Sequence, residues 1–329
     1  MPPVGHCKVR KLDRICNFYM HLRRMKFLRL LILIAAVLLI SAYWKEVILL
    51  TRDTIKYVQR IKLRYVLLAF ILYIFSVFLF AIRWGSVLTA LGYRIKVWAL
   101  VPILFGAISI NNFTPANRMG GEPLRIFWLR EQFDVRFSHA FVSIVYERAV
   151  EAVPVVALFL YALSQLPVFQ DDILKVAVYL AIVLLLVFCS YLFIKIKLSS
   201  VVKTLIGYSK QLNQAFLPTL TLSSLVWVQD ILRLKLITLA FGLHLRVNII
   251  VLLSILYLLL GSVPLTPGGL GVVDGGLVSA LTLFNIPAGI AIGVVAVERF
   301  ISYVMSGAIG VACLLYFGGL RIWRSTGSQ

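Results

Sequence analysis

The feature that most constrains this chain is a series of apolar runs, such as Phe27–Trp44 and Val176–Ile194, each about as long as a bilayer is thick. A helix needs roughly 20 consecutive apolar residues to cross the hydrocarbon core. A chain of 329 residues holds about eight such runs and little else. Composition agrees: 61% of residues are hydrophobic, 14% are charged, and the mean hydropathy is +0.96. A soluble domain is about half apolar and about a quarter charged. The sequence therefore predicts an all-α, polytopic integral membrane protein with six to eight membrane helices. Disorder, a collagen repeat, a disulfide scaffold and a soluble catalytic domain are excluded on the same grounds.

Candidate segments are 27–44, 65–82, 98–114, 138–165, 174–195, 219–242, 247–265 and 288–317. Residues 1–26 form a basic tail, 27–318 the membrane domain and 319–329 a short C-terminal tail. The first run is led by Lys8, Arg10, Lys11, Arg14, Arg23, Arg24, Lys26 and Arg29 against Asp13 alone, which by the positive-inside rule places the N-terminus on the cytoplasmic side of the cell membrane. No small-residue cleavage site follows, so a signal anchor is expected. Walking outward, Asp171 and Asp172 fall outside, while Lys195, Lys197, Lys203, Lys210, Arg321 and Arg324 fall inside. Residues 45–64 are basic on the outer side and read as an amphipathic helix lying in the interface. Basic residues at the ends of apolar runs, rather than nucleic-acid binding, account for the net charge of +20. Trp44, Trp84 and Trp98 read as interfacial belt residues. Cys7, Cys16, Cys189 and Cys313 are too scattered for a disulfide framework or a metal site, and His6, His21, His139 and His244 are too dispersed for a metal cage. No metal and no obligate cofactor is expected.

The topology closes only if 98–131 and 247–285 each enter and leave on one side. Both have an apolar run, a Pro- and Gly-rich stretch and a second amphipathic run, the pattern of a re-entrant hairpin of two half-helices. Two ordinary helices with loops remain the other reading. The stretches also match each other. Thr114-Pro115 and Thr266-Pro267 align at an offset of 152, as do Glu122 and Asp274, while Glu147-Arg148 and Glu298-Arg299 align at 151. Pseudo-repeats of about 65–195 and 219–318 are implied. Three crossings lie between equivalent points, so the second copy is expected upside down, as in many secondary transporters. Pro and Gly break the helices at these stretches and free amides that attract anions.

Several charges lie inside apolar runs, where each costs about 2.5–3.5 kcal/mol even on insertion scales. Glu147, Arg148 and Glu151 share one run, Asp230, Arg233 and Lys235 another, and Glu298 and Arg299 a third. Glu147 and Glu151 fall on one helix face, and Asp230 can pair with Arg233. These groups either glue the bundle with salt bridges or line a polar path. On the second reading Arg118, Arg125, Arg148, Arg233 and Arg299 are candidate phosphate ligands, because a guanidinium binds oxygen atoms bidentately. Glu122, Asp274, Glu147 and Glu298 would hold them or carry protons. The backbone at Gly120, Gly121, Pro267, Gly268, Gly269 and Gly271 would complete the site.

The stretch Asn112-Phe113-Thr114-Pro115-Ala116-Asn117-Arg118-Met119-Gly120-Gly121-Glu122-Pro123-Leu124-Arg125, with Glu147-Arg148 and Pro264-Leu265-Thr266-Pro267-Gly268-Gly269-Leu270-Gly271-Val272-Val273-Asp274-Gly275, resembles the lysylphosphatidylglycerol synthase transmembrane region, or flippase-like domain, family. The resemblance spans roughly 27–318. It implies translocation of a charged or glycosylated lipid and, by analogy with archaeal relatives, a part in processing dolichol-linked sugars. It carries over to Gly120–Glu122 with Arg125, to Glu147-Arg148 and to Pro267–Gly271. Ala116 and Asp274 stand where the family often has Gly and Glu. The synthases also carry a cytosolic aminoacyl-transferase domain that nothing here matches, so synthesis of a lysyl lipid is not expected. A flippase or scramblase for a phosphate-bearing phospholipid or polyprenyl-linked lipid is the expected function, with membrane lipids as partners, no nucleic acid and no enzymatic step. The alternatives are an enzyme or accessory factor of polyprenyl-phosphate glycan assembly, and a bundle that only recruits or regulates partners. The sequence does not fix an oligomeric state.

Overall fold

The computed structural model describes residues 44–114, 120–164, 207–261 and 266–316. The basic N-terminal tail, the first apolar run short of Trp44, the run 174–195, the Asp171-Asp172 loop, Arg118, Pro264-Leu265 and the C-terminal tail lie outside these residues. Every described element is helical. Helix α1 (Trp44–Gln59) contains the boundary, after Lys56, between two compact units. Its Ile48, Leu49 and Ile55 are exposed beside Arg52 and Lys56, as expected of an amphipathic helix.

In the second unit the chain runs through α2 (Leu63–Ala90), α3 (Val97–Phe113), α4 (Glu122–Phe133) and α5 (Phe137–Ser164). It then repeats the order with α6 (Ser209–Ala240), α7 (Val247–Gly261), α8 (Val272–Leu283) and α9 (Ala288–Leu314). Among the described residues, α2, α6 and α9 are long and apolar enough to cross a membrane. Helix α5 is as long as α2, at 28 residues, but carries Glu147, Arg148 and Glu151. Helices α4 and α8 have 12 residues each, about 18 Å at the usual rise, and are too short to span about 30 Å of hydrocarbon. Each folds back on its predecessor. Gly106 of α3 lies against Leu124 and Trp128 of α4, and Gly276 of α8 against Leu260 of α7. These are the two half-helix hairpins that the Pro/Gly stretches imply.

Helix ends repeat as faithfully as the helices. Gly92 and Gly242, at φ +95° and +75°, end α2 and α6 in the same way. Tyr93 N–H reaches back to the Leu88 carbonyl (2.9 Å), and Leu243 N–H to that of Thr238 (3.0 Å). Such six-to-one bonds past a left-handed residue satisfy carbonyls that a helix end leaves free. Asn285, at φ 59°, does the same after α8, with Ile286 bonded to Leu281, and Asp134, at φ 51°, closes α4 with a bond one residue longer, from Val135 to Leu129.

Each half buries its own core. Trp84 and Leu88 of α2 pack with Leu100 and Ile103 of α3 and Trp128 and Leu129 of α4. Ile237 of α6 packs with Ile250 and Leu253 of α7, Leu277 and Leu281 of α8 and Val294 of α9. The halves join along α2 and α6, which run antiparallel. Lys62 N–H at the start of α2 donates to the Ala240 carbonyl at the end of α6 (3.0 Å), while Arg83 near the end of α2 reaches Ser223 (3.1 Å). Packing is reciprocal, with α3 against the end of α9 and α7 against α5. The second copy is therefore inverted relative to the first, and the chain is an all-α polytopic membrane protein.

The two helix breaks meet at the centre. Gly268 N–H donates to the Thr114 carbonyl (3.2 Å), and Asn112 bonds Tyr303 through both its side-chain amide and its carbonyl. Gly268 is at φ +59°, and a Cβ there would lie 2.8 Å from the Asn112 carbonyl oxygen, so both conformation and space require glycine.

Candidate functional site

A cavity of about 230 Å³ lies between α2, α3, α4 and α5 of the first half and α6, α7, α8 and α9 of the second. Most of the charged residues singled out in the apolar runs line it, each helix contributing one face, but Lys235 and Arg299, like Asp274, do not. From α6 the lining charges are Asp230 and Arg233, with Trp227 three residues before Asp230 on the same face; from α5 they are Glu147, Arg148 and Glu151.

On the first-half side the charges close into a ring. Arg83 bonds Glu147 (3.1 Å), and Glu147 accepts from Arg125 (2.5 Å). Arg125 bonds Glu122 (3.0 Å), Glu122 pairs with Arg148 (2.7 Å), Arg148 with Glu151 (3.1 Å), and Glu151 lies 3.5 Å from Arg83. Three arginines alternate with three carboxylates, so the ring is neutral and each charge has two opposite neighbours. That arrangement offsets the several kcal/mol each ion forfeits on leaving water. Arg83 and Glu147 are buried, whereas the Arg148 side chain is 41% exposed and is the most open member. Arg148 thus pairs with Glu122 and Glu151, not with the adjacent Glu147.

Arg125 also stacks on Trp84, its guanidinium carbon 4.0 Å from the ring centroid, while Trp84 Nε1–H donates to Ser143 Oγ (3.1 Å). Trp84 is fully buried, which corrects its reading as a belt residue. Helix α2 continues to Ala90, so Trp84 lies inside the bundle instead of at the end of a span. Trp98 is exposed, as a belt residue should be.

The second-half side holds the equivalent charges without the ring. Arg233 Nη1 lies 3.0 Å from Glu298 Oε1, and Arg233 Nη2 3.4 Å from Asp230. Arg299 pairs with Asp274 and donates to the carbonyls of Gly268 (3.1 Å) and Gly269 (3.4 Å). The positions corresponding to Arg125 and Glu151 are Leu277 and Ser302, and Asp230 stands where the first half has Phe80. Two arginines therefore face three carboxylates. Buried polar atoms also lack hydrogen-bond partners here: Arg233 Nε and Nη1, Glu298 Oε2, Ser302 Oγ and Trp227 Nε1. Arg233 and Glu298 are close in distance but not aligned for a hydrogen bond.

The break amides expected to meet an anion are bonded within the chain in this conformation. Gly121 N–H donates to Asn111 Oδ1 (2.7 Å), Gly268 N–H to Thr114, Gly269 N–H to Thr266 (3.1 Å) and Gly271 N–H to Asp274 Oδ2 (2.9 Å). Pro267 opens the short turn that carries the two glycine carbonyls. Gly120 closes on Thr114 so tightly that a Cβ would strike its hydroxyl. Arg118 lies outside the described residues. Of the histidines, His139 sits between Tyr93 Oη (2.9 Å) and Tyr208 Oη (3.1 Å), away from the cavity. Among the described residues no group of His, Cys, Asp and Glu could hold a metal.

Arg83 is the ring member that does not stand out in the sequence, because it directly follows the apolar run 65–82 and looks like an ordinary helix-end anchor. A signal exists: Gly92 and Val97 recur as Gly242 and Val247 at an offset of 150, which carries Arg83 onto Arg233.

A model of the family described as "Lysylphosphatidylglycerol synthase TM region" matches residues 26–310. The chain belongs to this family. A UPF0104 membrane protein of Methanothermobacter thermautotrophicus is 26% identical, the match covering 77% of this chain and 86% of that protein. A second, of Pyrococcus horikoshii, is 24% identical over 87% of this chain and 96% of its own length. A third, of Methanocaldococcus jannaschii, is 24% identical, with 76% and 84% covered. No solved structure matches the chain.

Proposed function

We propose that this member of the synthase transmembrane family translocates a phosphate-bearing lipid, either a phospholipid or a polyprenyl-linked lipid, across the cell membrane as a flippase or scramblase. The observation that carries this reading is a charged cavity inside an apolar bundle, set where two inverted halves meet. Charges at that depth are costly and mark substrate pathways in membrane proteins. The headgroup enters the cavity while its tails stay in lipid. Arg148 receives it first, since it is half exposed and already shared between two carboxylates that a phosphate can displace in the same bidentate geometry. The lipid is relocated without covalent change, and the N-terminus faces the cytoplasm.

The test is reconstitution into liposomes containing fluorescent phosphatidylglycerol or polyprenyl-phosphate probes, with dithionite quenching the outer leaflet. The wild type should abolish the protected inner half for at least one probe. Arg148→Ala should restore protection, and Arg148→Lys should rescue only in part, because an ammonium lacks the planar fork. Gel filtration confirms that each variant is folded. Full protection with folded wild-type protein, or unchanged transport in Arg148→Ala, refutes the assignment. Chemical turnover of the polyprenyl phosphate would instead favour a role in glycan assembly.

A further inference from the structure

The second-half side of the cavity contains groups that the translocation reading has not used. Arg233 and Glu298, whose side chains are 10% and 4% exposed, form a close ion pair in which Arg233 Nε and Nη1 and Glu298 Oε2 make no hydrogen bond. Trp227 Nε1–H, a buried donor on the same helix, is also without an acceptor. All three residues line the cavity. The groups around them are Asp230 on α6, Tyr73 on α2 and Tyr257 on α7, each of which interacts with Arg233, and beyond these the Asp274–Arg299 pair of α8 and α9. This set already carries one more carboxylate than arginine, and the ring opposite is neutral.

An anion entering such a site meets three unused donors and one arginine whose existing partner is poorly aligned. Once a phosphate takes that guanidinium, the buried Glu298 carboxylate loses its nearest counter-charge, Arg299 being the more distant one, and its Oε2 has no hydrogen bond. An uncompensated buried charge is among the costliest states a protein can hold, and a carboxylate relieves it by binding a proton. We propose that a phosphodiester anion binds to Arg233 Nε and Nη1 and Trp227 Nε1, and that Glu298 takes up one proton at Oε2 as it does so, so that anion and proton occupy the cavity together. The proton comes from water in the cavity and returns to it when the anion leaves and Arg233 pairs with Glu298 again. The inference rests on the headgroup reading above and adds its second ligand set and a co-bound ion.

The experiment is calorimetric titration of the purified protein at neutral pH in buffers of different ionisation enthalpy, whose slope counts protons taken up per anion bound. Two probes are used: short-chain phosphatidylglycerol, and glycerophosphoglycerol, the same diester without tails. Neither diester titrates near neutrality, so any proton belongs to the protein. About one proton per bound anion is expected in the wild type and none in Glu298→Gln, while Trp227→Phe should weaken binding about tenfold and keep the proton count. Binding of both probes assigns the site to the phosphodiester itself, and binding of the lipid alone makes the tails part of recognition; the proton count applies to either. Binding with no proton uptake, or uptake unchanged in Glu298→Gln, overturns the inference and leaves translocation standing. No binding of either probe by folded protein removes the headgroup reading and this site with it. If Glu298→Gln does not fold, the wild-type count still decides.

Discussion

Replacing Arg83 by Met tests the ring more directly than any change at its open edge. The guanidinium makes three contacts from a buried position: Glu147 at 3.1 Å, Glu151 at 3.5 Å and Ser223 at 3.1 Å. Methionine keeps much of the aliphatic volume but leaves two arginines facing three carboxylates. Removing one partner of a buried pair costs about 3–5 kcal/mol, because the remaining charge is stranded. Deleting Glu151 in the same chain, as Arg83→Met/Glu151→Leu, restores the balance at two against two, and the contacts Arg125–Glu147, Arg125–Glu122 and Arg148–Glu122 survive. The double variant should therefore be more stable than the sum of the two single losses implies, with a coupling of about 1–3 kcal/mol. The assay is a double-mutant cycle of reversible unfolding in mixed lipid–detergent micelles. The exposed Lys56–Asp53 pair, at 3.1 Å with side chains more than half exposed, serves as the control and should couple by less than about 1 kcal/mol. A loss below about 1 kcal/mol for Arg83→Met, or strict additivity with Glu151→Leu, refutes the claim that the ring is held by charge balance.

Two further outcomes test the repeat and the core. Gly92→Ala and Gly242→Ala introduce Cβ atoms that meet nothing within 4 Å, so only the left-handed backbone is penalised; each should cost about 1–2 kcal/mol and, at opposite ends of the α2–α6 pair, the two should add, as read by unfolding of the single and double variants. Trp84→Phe removes the bond to Ser143 and weakens the cation–π contact with Arg125, and should destabilise by about 1–3 kcal/mol in the same assay, whereas a belt tryptophan would tolerate the change.

What the sequence made legible follows from the range of the physics involved. Helices were readable because lipid tolerates only long apolar runs, and the hairpins because Thr114-Pro115 and Thr266-Pro267 open stretches that cannot remain helical. Glu147, Arg148, Glu298 and Arg299 stood out because a charge inside an apolar run is conspicuous. Arg83 did not, since one misplaced boundary turned a buried ligand of Glu147 into an ordinary anchor. Trp84 failed for the same reason: its role depends on where α2 ends, and that is set by Gly92 eight residues later. Which arginine meets which carboxylate was not readable at all. The ring draws on α2, α4 and α5, and the pairing of Arg148 with Glu122 rather than with its neighbour Glu147 exists only once the first hairpin has folded back against α5.

The two halves began from one plan, and their differences bear on function. Arg83–Glu147 and Arg233–Glu298 are the same pair in two copies, but only the first has the connectors Arg125 and Glu151 that give every charge a second partner. Leu277 and Ser302 occupy those places in the second copy. Had stability alone shaped this side, the rest of the pair could have gone as well, because a buried ion pair exchanged for apolar side chains of similar volume is often neutral or stabilising. The second copy instead carries the pair without that support and with Asp230 as a further carboxylate beside it. The cost shows in the unpaired atoms of Arg233, Glu298, Ser302 and Trp227, against Arg125 Nε alone among the ring's charged groups. Unpartnered buried polar atoms are thus concentrated on the second-half side of the cavity, and the N–H donors among them, beside an arginine, are the groups that the proposed anion would bind.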